Sequence, residues 1–155
     1  MYLVMVLALT VVAPIASVTI ELAASGGTGD PLLVAGKWFT FWGIGVRLFI
    51  AGLSQSLRPQ FTAQNILGAK PDASVNQIVQ ELGFANLAFG IVGILTLPIA
   101  SWLVPAALAG GVFLGLAGIR HVAKPAKNTK EWIATLTDLL VAAVALACVL
   151  YAWLA

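Results

Sequence analysis

The sequence predicts an all-α integral membrane bundle of about five transmembrane helices, with a tight hairpin between the third and the fourth. Three observations predict it. Of 155 residues 61% are apolar and only 9% charged, whereas an ordinary soluble domain carries about 45–50% and about 25%. The mean hydropathy is +1.01. The apolar residues fall in long unbroken runs rather than in alternating or amphipathic patterns, so the solvent they face is lipid.

A membrane-crossing helix needs about 20 mostly apolar residues, because each residue rises about 1.5 Å through about 30 Å of hydrocarbon. Five segments of a single domain, residues 1–155, meet that length: Tyr2 to Leu22, Trp38 to Leu57, Ile78 to Ile99, Trp102 to Val122 and Trp132 to Leu154. The first has an apolar core and an Ala23-Ala24-Ser25 ending but no positively charged start, so it reads as a spanning helix rather than a secretory signal. The second carries one arginine within its apolar run. Ser74 to Gln80 reads as a polar, interfacial approach to the third. The third and fourth together exceed one helix, and Leu97-Pro98 with Val104-Pro105 breaks them, since proline lacks a donor and disfavours helix in the residue before it. Trp38, Trp42, Trp102, Trp132 and Trp153 fall near helix ends, where amphipathic rings anchor at the membrane surface.

Charge orients the bundle. With five helices, one side collects Arg58, Lys70, Arg120, Lys124, Lys127 and Lys130, and the other has Lys37 against Glu21 and Asp30. The positive-inside rule then places the N-terminus in the cytoplasm and the C-terminus outside. The basic residues form no aromatic-basic stripe, which argues against nucleic acid as a partner.

Arg47 is the residue that most needs explaining. A charge at mid-helix costs about 2.5–3.5 kcal/mol on insertion scales, and such residues face the bundle interior with a partner. Gly43, Arg47, Ala51, Ser54 and Arg58 share one helix face, so small residues flank the charge. Gln55 lies near the end of the second helix, Glu81 and Asn86 begin the third, His121 ends the fourth, and Asp138 lies two turns into the fifth. All fall in the predicted cytoplasmic half, so Arg47 could floor a polar vestibule lined by them, with Asp138 as first counter-ion by depth and Glu81 as second. The plainer reading is a buried ionic tie that fixes helix register.

Other chemistry is sparse. Cys148 is the lone cysteine and reads as a small buried hydrophobe, and no intrachain disulfide can form. With His121 the lone histidine, two histidines cannot ligate a haem within one chain, and Glu81, His121 and Asp138 lack a diagnostic metal spacing. We expect no cofactor and no bound metal. The Ser25 to Pro31 turn lacks the Gly-Lys-Ser/Thr ending of a phosphate loop. Thr10, Pro14, Ser17 and Glu21 on the first helix, Asn86, Gly90 and Gly93 on the third, and Gly111, Gly115 and Gly118 on the fourth form small-residue stripes suited to helix packing.

The segments Trp38 to Phe49, Glu81 to Leu87 and Gly118 to His121 resemble those of a family of small, uncharacterised bacterial inner-membrane proteins and, more distantly, the DoxX-like four-helix proteins. The DoxX-like pattern pairs an arginine and a following glycine in one helix with an acidic residue opening another, here Arg47 with Gly52 and Glu81 with Gly83 in looser spacing. The resemblance covers Trp38 to Leu154 and implies a quinone-linked accessory role, with no catalytic residue assigned.

The leading expectation is thus a protein that binds or moves a small molecule or ion through the Arg47 vestibule, with the lipid bilayer as its surroundings and a lipid or quinone-like ligand as a candidate. The alternatives are a non-catalytic accessory subunit packing through glycine seams, as a homo-oligomer or in a larger membrane complex, and a quinone-linked redox protein. The inverted repeats common in autonomous carriers are not visible.

Overall fold

The computed structural model describes residues 2–65, 68–124 and 129–154. It is 88% helical, with no strand among the described residues. Five helices are long and apolar enough to cross a membrane: Leu3–Ala24, Pro31–Leu57, Ala73–Leu95, Ala100–Val122 and Glu131–Leu154, the first to fifth spans below. A short helix, Pro59–Asn65, follows the second span and was not anticipated from the sequence.

The spans differ from expectation mainly at their starts. The second begins at Pro31, seven residues before Trp38, because Asp30 caps it: its carboxylate accepts the backbone N–H of Leu32 (2.9 Å) and of Leu33 (3.1 Å), and Pro31 occupies the first turn, where no donor is missed. Lys37 therefore sits inside the helix. Its charge is met by Glu21 of the first span, which also accepts from the Trp38 indole at 2.6 Å. The third span begins at Ala73, where Asp72 accepts from the backbone N–H of Val75 (3.0 Å), so the polar Ser74 to Gln80 stretch is its first two turns. It ends at Leu95. Thr96 to Ile99 make the hairpin turn, with the Thr96 hydroxyl on the Gly93 carbonyl, and Pro105 fits the first turns of the next span.

The second span is the centre of the bundle and touches the other four. Half of its most apolar stretch is buried, as is half of the fifth span's, against 17% for the first. Ile44 and Leu48 meet Ala107 and Leu114 of the fourth span and Val141 and Ala145 of the fifth in the main core. Val4, Val12, Ile20, Leu57, Ile78, Leu116, Ile119 and Leu136 face outward, which costs nothing where the surroundings are hydrocarbon.

Glycines set the inter-helix distances. The second and third spans meet backbone to backbone: a Cβ on Gly93 would lie 2.6 Å from the Gly45 Cα, and one on Gly52 2.6 Å from the Leu87 nitrogen. The second and fifth run antiparallel with Cys148 over Gly36 and Val141 over Gly43. Cys148 is fully buried in that contact. Gly110 of the fourth span, absent from the stripe read in the sequence, receives the Ile44 side chain, while Gly115 has only ordinary contact, 3.6 Å, with Ala142. Gly36, Gly43, Gly45, Gly52, Gly93 and Gly110 thus pack closely against neighbouring helices of the same chain.

Candidate functional site

Two stretches of helix are wound wider than an α-helix, as π-helix: Ala8–Val12 in the first span and Thr40–Val46 in the second. The second of these ends immediately before Arg47. Such π-turns are rare and occur often at functional sites, because each changes where the following side chains point.

Arg47 lies three residues past Ile44, the midpoint of Pro31–Leu57, or about 4.5 Å along the axis. It is thus a little off centre, on the side where Arg58 follows. Its guanidinium Nη2 donates to Oδ1 of Asp138 at 2.5 Å, an ion pair whose side chains are only 11% and 7% exposed. The ladder of antiparallel contacts explains the pairing. With Val141 seated on Gly43, one turn further along each helix puts position 138 opposite position 47. The ion pair uses one terminal nitrogen of the guanidinium. The other, Nη1, is buried and has no hydrogen-bond partner.

A second polar pair lies two turns further toward Arg58. Asn86 of the third span, 5% exposed, donates from Nδ2 to Oε1 of Gln55 at 2.7 Å, and its own Oδ1 is left without a partner. The adjacent Ser56 Oγ is likewise buried and unpartnered, while the Ser56 carbonyl accepts from Gln80 at 2.9 Å. Buried polar groups are satisfied in the great majority of cases, so the unmet Arg47 Nη1 toward the fifth span and the unmet Ser56 Oγ and Asn86 Oδ1 at the contact with the third are notable. The Thr40 hydroxyl and Asn76 Oδ1 are likewise buried without a partner. By contrast, the buried hydroxyls of Thr10, Thr135 and Thr137 bond carbonyls of their own helices.

The six residues read from the sequence therefore sort into three groups. Arg47 and Asp138 meet between the second and fifth spans. Gln55 and Asn86 meet between the second and third. Glu81 is exposed on the third span, where it accepts from Gln77 at 3.1 Å, and His121 stands partly exposed at the end of the fourth. Arg47 takes Asp138, not Glu81, as counter-ion. No group of three or more His, Cys, Asp or Glu that could hold a metal ion occurs among the described residues.

Sequence reasoning missed the polar belt at the other end of the bundle. There Glu21 gathers Lys37 and Trp38, Ser17 accepts from the Trp42 indole at 3.0 Å, and Tyr151 of the fifth span donates to Asp30. The four-residue rhythm of Ser17 and Glu21 against Trp42 and Trp38 is the signal that could have found it. Hydrogen bonding by Tyr151 and by the helix N–H groups holds the Asp30 carboxyl below its ordinary value.

The family described as a family of unknown function, DUF6790, matches residues 1–155. The chain belongs to that family. Its members thus include an all-α chain with five helices of membrane-crossing length and a buried arginine–aspartate pair. No curated protein and no solved structure matches the chain.

Proposed function

We propose that this DUF6790 protein is a bacterial inner-membrane protein that binds a small molecule carrying a hydrogen-bond acceptor, a carbonyl or an anionic oxygen, at Arg47. The observation that carries the reading is the Arg47 Nη1 group, buried and without a partner beside an otherwise complete ion pair. Leaving a buried donor unmet costs about 1–3 kcal/mol, and more for a charged group. An acceptor delivered by a ligand recovers that cost.

Asp138 has a defined part in this scheme. By engaging Nη2 it cancels the net charge and aims the guanidinium plane, so a neutral carbonyl ligand meets a positioned donor rather than a naked cation. The Gln55–Asn86 pair, with Asn86 Oδ1 and Ser56 Oγ open, offers further polar contacts along the second span toward its basic end. The positive-inside bias supports a cytoplasmic N-terminus and a cytoplasmic opening on that side. The distant DoxX-like resemblance supports a quinone head group among the carbonyl ligands. Glu81 and His121 lie outside these two pairs and would serve at the entrance.

The test is the small-molecule content of protein purified in mild detergent, compared between the wild type and an Arg47→Met, Asp138→Leu double variant. We expect the wild type to retain a carbonyl- or anion-bearing compound that an equally stable double variant lacks. A folded double variant with the wild-type content, supporting every growth phenotype of the wild type, would reduce the pair to a structural tie.

A further inference from the structure

Away from the Arg47 pair, an apolar groove of about 580 Å3 opens on the outer face of the third and fourth spans. Phe89, Pro105, Leu108, Val112, Phe113 and Leu116 line most of it. Phe89 and Phe113 stack at 4.9 Å between centroids and form its inner wall, closing the gap between the two spans. From Pro105 to Leu116 it runs along about three helical turns, or about 16 Å. Every lining side chain is apolar, so only hydrocarbon or another apolar helix fits it.

What stands at its end decides between these. Leu108, Val112, Leu116 and Arg120 follow one another at four-residue spacing, so Arg120 continues the groove face in the last turn of the fourth span. Arg120 is exposed, and no other described residue makes an ion pair or hydrogen bond with its side chain. Nearby Lys124, in contrast, is paired with Glu131. The groove thus joins an apolar channel about three turns long to an unpaired cation in the last turn of the same span. We infer that it holds one acyl chain of an anionic phospholipid, with the headgroup phosphate on Arg120. A long basic side chain at a helix end reaches the interface in this way, and basic sites between spanning helices select anionic lipids.

Native mass spectrometry of the full chain tests this, with phosphatidylglycerol and phosphatidylcholine of identical acyl chains offered in equal amount. The wild type should retain phosphatidylglycerol preferentially. Arg120→Gln, an exposed change that leaves the core intact, should lower that preference about fivefold, since one interfacial basic residue contributes about 1 kcal/mol. Val112→Trp, which fills the groove from an exposed position, should lower retention of both lipids. Equal retention of the two lipids by the wild type, or an unchanged preference in Arg120→Gln, overturns the assignment. So does a dimer that Val112→Trp disperses while lipid retention stays, because the groove is then an interface between copies of the chain.

Discussion

Removing Arg47 alone and removing it together with Asp138 should have opposite consequences. In Arg47→Met the Asp138 carboxylate, whose residue is 5% exposed, loses its sole charged partner among the described residues in a low-dielectric interior. Breaking a buried pair from one side costs about 3–5 kcal/mol, whereas replacing both partners by apolar groups of similar volume is commonly neutral or stabilising. Because both side chains are about nine-tenths buried, no discount for solvent screening applies. Asp138→Leu alone should cost a similar amount, by stranding the guanidinium. Strict additivity would then put the double variant about 6–10 kcal/mol below the wild type. We expect it within about 1 kcal/mol. Denaturant unfolding in detergent micelles of the wild type, both single variants and the double variant gives the cycle. A double variant as unstable as the sum of its parts, or an Arg47→Met protein within 1 kcal/mol of the wild type, would refute the reasoning.

Gly93→Ala should cost about 1–3 kcal/mol by forcing the second and third spans apart, since its Cβ would meet backbone at 2.6 Å, while Gly115→Ala, with 3.6 Å of room, should be near neutral; thermal melts of the two separate them. Asp30→Ala should lower stability through loss of the cap at the second span. Because hydrogen bonds hold the folded Asp30 carboxyl below its ordinary 3.8, its contribution is present above that value and is lost as pH falls through the depressed folded one. The acid limb of a pH-stability profile should therefore flatten in Asp30→Ala. A cysteine at Asn128 should resist a membrane-impermeant thiol reagent in whole cells and one at Thr28 should react, with buried Cys148 silent; labelling at Asn128 would reverse the orientation. Position 128 lies outside the described residues.

Depth along a helix is legible in a membrane sequence, because residue count converts directly into ångströms through the bilayer. That is why five spans, the Pro98 hairpin and the choice of Asp138 as partner at Arg47's level could be read from the chain alone. Direction around a helix axis is not. Glu81 has a depth compatible with the polar cluster, yet it sits on the exposed side of the third span, while Asn86, five residues on, turns inward to Gln55. The early start of the second span was hidden for a related reason. Lys37 reads as a terminus until the Glu21 carboxylate, sixteen residues away, is seen to neutralise it. The glycines of the fourth span looked equivalent, and only packing separates Gly110, pressed by Ile44, from the loosely covered Gly115.

The contact of Gly45 with Gly93 also bears on how the protein can change shape. Where helices meet through side chains, a rotamer change lets one slide past the other. Here main chain rests on main chain, and nothing can swing aside. The second and third spans therefore move as one body, carrying Arg47 and the Gln55–Asn86 pair together. On the reading that a ligand reaches Arg47, the fifth span, which carries Asp138 and is not tied to the third by such a contact, is the element whose movement would uncover the guanidinium.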